Sequence, residues 1–133
     1  MAQENIDRLR AAYEVLAATG EWPSGELLGA AFELHQDAFV DNAKVFRGPD
    51  APAELLGVFA ESFLDLSLEA ESFTAAPRGE VVAVVRLQGR GRASGMAIDK
   101  LQAHVWSFDD LAAIKMEVFG QPAEARKAVR LSE

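Results

Sequence analysis

The sequence predicts an α+β domain in which a cone-shaped, curved antiparallel sheet packs on N-terminal helices. Two observations predict this fold. Glycine and arginine are concentrated in residues 89–95, between two long runs that are typical of β-strands, and the N-terminal half shows helical spacing of apolar residues. Helices followed by long sequential strands build a sheet that is covered by helices on one face. The apolar interior of such a cone is where we expect a small molecule to bind.

Size and charge exclude several classes of function. The 133 residues have the length of a single domain, which we take to span residues 1–133. The 21 acidic residues against 13 basic residues give a net charge of −8, which repels a phosphate backbone, so no nucleic-acid partner is expected. No apolar run has the length of a membrane helix, and the first residues are polar. We therefore expect a cytoplasmic protein without a membrane partner.

Three helices are predicted in the N-terminal half. The first has apolar residues at steps of three and four and ends at Gly20; these residues are Ile6, Leu9, Tyr13 and Leu16. A short second helix is predicted after an N-cap at Ser24, with three residues on its buried side: Leu27, Leu28 and Ala31. A short strand or strand pair is then expected within residues 37–46.

The third predicted helix begins after Asp50, which is placed as its N-cap. Pro52 lies in the first turn, where a missing N–H has no consequence. The buried stripe of this helix is predicted to consist of Leu56, Phe59 and Phe63, and the helix to end near Asp65.

Four long strands and a closing helix are predicted in the C-terminal half. A turn at Pro77-Arg78-Gly79 separates the first two strands. The predicted strands run from Leu66 to Phe73, Val81 to Leu87, Met96 to Phe108 and Ala113 to Phe119, and a short helix follows from Ala123 to Leu131.

The third and fourth strands have no plainly polar face. In the fourth strand, alternate residues are aliphatic, and the residues between them include Lys115, Glu117 and Phe119. A sheet that is apolar on both faces needs cover on both, and the predicted helices cover only one. The sequence therefore predicts a homodimer that forms through the sheet.

Four motifs occur in a fixed order along the chain: Gly89-x-Gly91-x-x-Ser94-Gly95, His104-Val105-Trp106-x-Phe108, Ile114-x-x-x-Val118-Phe119 and Glu124-Ala125. Tyr13 through Gly20-Glu21-Trp22 and Phe46-Arg47-Gly48 precede them. This pattern resembles the SnoaL-like branch of the nuclear transport factor 2-like superfamily. The resemblance implies a cone-shaped, usually dimeric α+β barrel with a pocket between sheet and helices. Its members include ketosteroid isomerase, polyketide cyclases, dehydratases and noncatalytic modules, so the fold alone does not assign a reaction.

The resemblance also implies candidate site residues. Tyr13 falls where ketosteroid isomerase has its oxyanion tyrosine, and His104 falls where that enzyme holds a protonated acid. Either residue is also compatible with an ordinary place in the core. The general base of the isomerase falls near Asn42, which cannot accept a proton, and the adjacent Asp41 substitutes only if the local alignment shifts by one residue.

Glu117 is a second candidate base. The resemblance turns Lys115, Glu117 and Phe119 inward, which would bring Glu117 near His104 as a carboxylate and imidazole pair. Pattern alone instead buries the aliphatic residues of this strand and leaves Lys115 and Glu117 in water.

Three function classes follow, and the last of them is a purely structural dimerisation module. The first is a small-molecule binding protein whose apolar pocket contains Trp106, Phe63 and Phe119, with Asn42 and Lys115 as further ligand contacts. The second is a cyclase, isomerase or dehydratase that uses His104 in acid–base catalysis, together with Glu117 or Asp41 as base and Tyr13 as oxyanion donor. No dinucleotide or phosphate-binding motif occurs and the two histidines lie far apart, so no cofactor and no metal is expected.

Overall fold

The computed structural model describes residues 2–23, 27–36 and 44–131. Over these residues the chain forms three helices and six strands. In order they are α1 (Ala2–Thr19), β1 (Leu28–Gln36), β2 (Lys44–Arg47), α2 (Ala51–Ser62), β3 (Phe63–Ala75), β4 (Val81–Gly91), β5 (Ala97–Asp109), β6 (Ala112–Phe119) and α3 (Pro122–Ala128).

The six strands form one open sheet in the order β2-β1-β6-β5-β4-β3. Four neighbouring pairs are antiparallel, while β1 and β6 are parallel, so the sheet is mixed rather than wholly antiparallel. The predicted α+β architecture, with a sheet packed on N-terminal helices, is confirmed. The four long C-terminal strands were all predicted, and β3, β4 and β5 each extend beyond their predicted ends.

The first and third predicted helices are confirmed as α1 and α2. Gly20 ends α1 with a positive φ of 78°, and its N–H donates to the carbonyl of Leu16 at 2.8 Å. Asp50 occupies the N-cap of α2, but its side chain makes no capping hydrogen bond. The helix ends at Ser62, and Phe63 begins β3 instead of continuing the helix.

The second predicted helix is wrong, because Leu28 and Ala31 belong to strand β1. Burial alternates at Phe32, Leu34 and Gln36, which is the period of a strand, and tertiary pairing with β6 overrides the local helix signal. Ser24, its predicted N-cap, lies outside the described residues. Residues 37–43 of the next predicted strand also lie outside them, and its end forms β2.

The sheet has an inner face, which packs against α1 and α2, and an outer face. The main core fills the space between the inner face and these helices. A smaller core forms where α3 covers part of the outer face, burying Val82, Ala103 and Val105 against Ala125 and Val129. Within the described residues, no helix is long and apolar enough to cross a membrane.

Candidate functional site

The inner face of β5 carries the polar residues of the candidate site. Gln102, His104 and Trp106 are two residues apart, so all three side chains lie on the same face of the strand. The strand pairing places His104 between Ala83 of β4 and Val118 of β6. Helix α1 supplies Tyr13, which is 2% exposed, from the layer opposite the sheet.

These four side chains form one hydrogen-bonded cluster. The Trp106 indole N–H donates to the Tyr13 hydroxyl at 3.0 Å. The Tyr13 hydroxyl lies 2.5 Å from His104 Nδ1, and His104 Nε2 lies 3.0 Å from Gln102 Nε2. Such buried networks fix side-chain geometry because an unmade hydrogen bond in the interior is costly.

The hydrogen bond to Gln102 determines the protonation of the imidazole. With the amide nitrogen of Gln102 facing the ring, His104 Nε2 is the unprotonated acceptor, because an amide N–H can only donate. The proton of the neutral ring then sits on Nδ1 and is donated to the Tyr13 oxygen. The Tyr13 oxygen thus accepts two hydrogen bonds, one from His104 and one from Trp106.

Burial shifts both titratable groups of the cluster toward their neutral forms. It lowers the pKa of His104 to about 4, because the charged imidazolium would be desolvated. Burial also raises the pKa of Tyr13 well above its usual value, and the hydrogen bond from Trp106 offsets only part of this rise. At neutral pH the whole cluster is therefore uncharged.

A cavity adjoins the cluster between the sheet and the helices. The cavity has a volume of about 30 Å³. It lies within a wider space of about 430 Å³ that is partly open to solvent. The polar lining consists of Tyr13, Gln102, His104 and Trp106, and the rest is aliphatic, aromatic or proline. Space of this size holds about two water molecules, so a larger guest requires the lining to move outward.

Trp22 forms one wall of this cavity. Its ring stacks on Trp106 with centroids 5.5 Å apart and meets Tyr13 edge-on at 5.3 Å. The half-buried Trp22 also lines a larger surface groove between α1 and the loop before α2. Trp22 is therefore the residue that the linings of the cavity and the groove share.

Three of the predicted site residues come together here: Tyr13, His104 and Trp106 all line the cavity. The inward position that the resemblance implies for Glu117 and Lys115 is wrong, and the outward position that the pattern alone predicts is the one observed. Pairing sets Glu117 opposite Val105 and Lys115 opposite Ser107, so both lie on the outer face, 3.6 Å apart as an ion pair. Glu117 therefore cannot pair with His104, whose neighbour on β6 is Val118.

The two predicted phenylalanines also lie elsewhere. Phe119 pairs with Ala103 on the outer face and packs against the small core under α3. Phe63 packs edge-on against Phe59, with centroids 6.3 Å apart, and does not line the cavity. Asp41 and Asn42 lie outside the described residues.

Two residues that line the cavity were not among the predicted site residues. Gln102 shares the inner face with His104, and a second polar residue two positions away on a largely buried strand was the signal for it. Trp22 lies three residues beyond the end of α1, and its large apolar ring was the signal for a place in the core. Within residues 2–23, 27–36 and 44–131, no group of three or more acidic or histidine side chains is placed to hold a metal ion.

Comparison with known proteins identifies the fold. No protein-family model and no curated protein matches the chain. Among solved structures, Bal32a from a soil-derived mobile gene cassette matches with a TM-score of 0.73 at 16% identity, over 96% of this chain and 97% of that one. A putative SnoaL-like polyketide cyclase from Jannaschia sp. CCS1 matches with a TM-score of 0.62 at 19% identity, over 99% and 93% of the chains.

A third similar structure is TerC, co-crystallized with polyporic acid. It matches with a TM-score of 0.66 at 15% identity, over 95% of this chain and 98% of TerC. Further matches carry the descriptions NTF2-like and ketosteroid isomerase-like. The chain therefore has the nuclear transport factor 2-like fold that the sequence motifs predicted.

Proposed function

We propose that this SnoaL-like domain binds an uncharged, largely apolar small molecule in the cavity between the sheet and helices α1 and α2. The observation that supports this most is the lining itself. Apolar side chains enclose a neutral, hydrogen-bonded polar cluster, which is the usual composition of a ligand pocket. Trp22 is the side chain whose movement would admit the ligand from the groove.

The charge state of the lining argues for a neutral ligand. No aspartate, glutamate, lysine or arginine lines the cavity among the described residues. A charged ligand would lose its hydration there without gaining an ion pair, which is strongly unfavourable.

The structural neighbours support a role with organic molecules without assigning one. TerC was co-crystallized with polyporic acid, and the Jannaschia protein is described as a putative polyketide cyclase. At these identities the likeness concerns the fold, and one fold hosts many functions. The proposal therefore rests on the residues that line the cavity and not on these neighbours.

Thermal unfolding with uncharged aromatic probes tests this proposal. We expect ethylbenzene or 1-phenylethanol to raise the unfolding midpoint, since a ligand at one hundred times its Kd stabilises a protein by about 2.7 kcal/mol. The charged probe benzoate should have no effect. Failure of every neutral probe to raise the midpoint would refute the proposal.

A matched pair of variants locates the binding. Val118→Phe fills the cavity from β6 and should abolish the stabilisation, because Val118 lines the cavity opposite His104. Glu117→Gln changes the adjacent residue on the outer face and should leave it intact. Equal loss in both variants would place the binding site elsewhere.

An acid–base enzyme is the second candidate, and the short Tyr13–His104 contact beside the cavity favours it. Against it, His104 is a weak base with a pKa of about 4, and no carboxylate lines the cavity within the described residues. Exchange of the methyl protons of acetophenone in D₂O, followed by NMR, separates the two candidates. Acceleration by the native protein that is lost in His104→Ala would establish the enzyme; no acceleration is the result expected for a binding protein.

We further propose that a second copy of the chain covers the outer face of β2, β1 and β6. Helix α3 already covers part of the outer face of β4 and β5, so the second copy would cover only the rest of that face. The uncovered part presents two exposed aliphatic residues, Val45 and Ile114, beside a row of alternating charges formed by Arg47, Glu33 and Lys115. Light scattering should give a dimer mass, and a monomer mass at micromolar concentration would contradict this proposal.

A further inference from the structure

One half of the Gln102 carboxamide has no hydrogen-bond partner. The side chain is 1% exposed and lines the cavity. Its Nε2 is engaged with His104 Nε2 at 3.0 Å, whereas its Oε1 is buried and unpaired among the described residues. An unpaired buried acceptor typically costs about 1–3 kcal/mol, so a group of this kind calls for a partner.

The rest of the cluster fixes Oε1 as an acceptor. The amide nitrogen of Gln102 faces His104 Nε2 at 3.0 Å, so the amide oxygen points away from the imidazole. The Trp106 N–H and the His104 Nδ1–H are both donated to the Tyr13 oxygen. The Tyr13 O–H is a further donor of the cluster, but no hydrogen bond joins it to Gln102 Oε1, which stays unpaired among the described residues.

We propose that Gln102 Oε1 is the polar anchor of the cavity, and that the cavity selects uncharged apolar molecules carrying a hydrogen-bond donor, an alcohol above all. This inference rests on the proposed binding function and specifies its ligand class. A donated O–H supplies the missing partner of Oε1, while the apolar body of the ligand contacts the aliphatic and aromatic lining. A ligand whose polar atom only accepts would place two oxygens against each other.

Three probes with the same carbon skeleton test the donor requirement by calorimetric or NMR titration. 1-Phenylethanol carries a donor, acetophenone only an acceptor, and ethylbenzene neither. We expect the native protein to bind 1-phenylethanol roughly three- to tenfold more tightly than the other two, the range that one net hydrogen bond supplies. Equal or tighter binding of acetophenone would overturn the inference.

The Gln102→Leu variant assigns the preference to this residue. It should bind ethylbenzene at least as well as the native protein and should lose the preference for the alcohol. Gln36→Leu is the matched control, since Gln36 is also 1% exposed on the inner face, its amide is unpaired among the described residues, and it does not line the cavity. It should keep the preference; a preference that survives in Gln102→Leu would refute the role of Gln102.

The outcomes separate the two proposals. If none of the three probes binds, the proposed function fails. If all three bind with equal affinity, the function stands and the Gln102 anchor fails. Should Gln102→Leu not fold, the side-chain amide signals of ¹⁵N-labelled native protein decide: the Gln102 signals should shift on binding 1-phenylethanol by more than on binding ethylbenzene, and equal shifts would refute the anchor.

Discussion

The polar side chains on the two faces of strands β5 and β6 differ in how far they are exposed to water. On the inner face, Tyr13 and His104 are almost completely buried and hydrogen-bonded to each other. On the outer face, Lys115 and Glu117 lie 3.6 Å apart with side chains that are 40% and 38% exposed. The adjacent residues Glu117 and Val118 lie on these two different faces.

This difference shows where chemistry can be concentrated. Burial shifts pKa values and makes an unpaired polar group costly. Water screens an exposed ion pair, so such a pair contributes little to the free energy of unfolding. The inner face therefore holds the groups able to recognise a ligand. Substitutions on the inner face should therefore lower the free energy of unfolding more than substitutions on the outer face.

The largest effect is expected for Trp106→Ala. Trp106 is fully buried and stacks on Trp22 and Phe32, so its removal leaves a cavity and should lower the free energy of unfolding by about 3–5 kcal/mol. Urea denaturation measures this value. Ile114→Ala, at a 43% exposed position on β6, is the control and should lower the free energy of unfolding far less. Similar losses in both variants would contradict the difference between the two faces.

Tyr13→Phe should have the next largest effect. Removing the hydroxyl leaves the Trp106 N–H and the His104 Nδ1–H without an acceptor. We expect a loss of about 2–3 kcal/mol, in the upper part of the range for one unpaired group, since two donors are affected. Native-like stability of this variant in urea would show that the cluster contributes little.

The pH dependence of stability should follow His104. Its folded pKa of about 4 lies below the ordinary value near 6.5, so the unfolded chain binds the extra proton between these pH values. The contribution is fully present above pH 6.5 and is lost as pH falls toward 4. Between pH 7 and pH 5 the loss should be about 2 kcal/mol.

His104→Gln is the comparison variant, because glutamine does not titrate. Its unfolding free energy, measured in urea at several pH values, should fall less steeply between pH 7 and pH 5 than that of the native protein. Identical slopes would mean that His104 does not lose a proton on folding.

The smallest effect is expected on the outer face. Lys115→Ala removes an exposed ion pair, and such pairs contribute about 0–1 kcal/mol. Urea denaturation should find a change within this range, and binding of neutral probes should be unaffected. A loss of 2 kcal/mol or more would show that this face is buried in solution, as the proposed dimer could cause.

The sequence predicted most of the fold because its strongest signals are local. Helical spacing in α1, Pro52 at the start of α2 and the turn before Val81 each act within a few residues. β1 was mistaken for a helix, since its extended conformation depends on pairing with β2 and β6, which lie far along the chain.

The site was only partly predictable for a related reason. Tyr13, His104 and Trp106 follow from motifs, whereas the facing of Glu117 depends on the register between β5 and β6. A shift of one residue reverses every side chain of a strand, and sequence alone did not fix this register. The unpaired Oε1 of Gln102 depends on the three-dimensional arrangement of its neighbours and has no signature in sequence.

The central claim is that the inner cavity binds a neutral small molecule, and the indole signals of the chain test it most directly. The protein has two tryptophans, and both Trp22 and Trp106 line the cavity. Titration of ¹⁵N-labelled protein with 1-phenylethanol should shift both indole N–H signals along one saturable curve. Indole signals that stay unchanged while signals from the outer face shift would contradict the account.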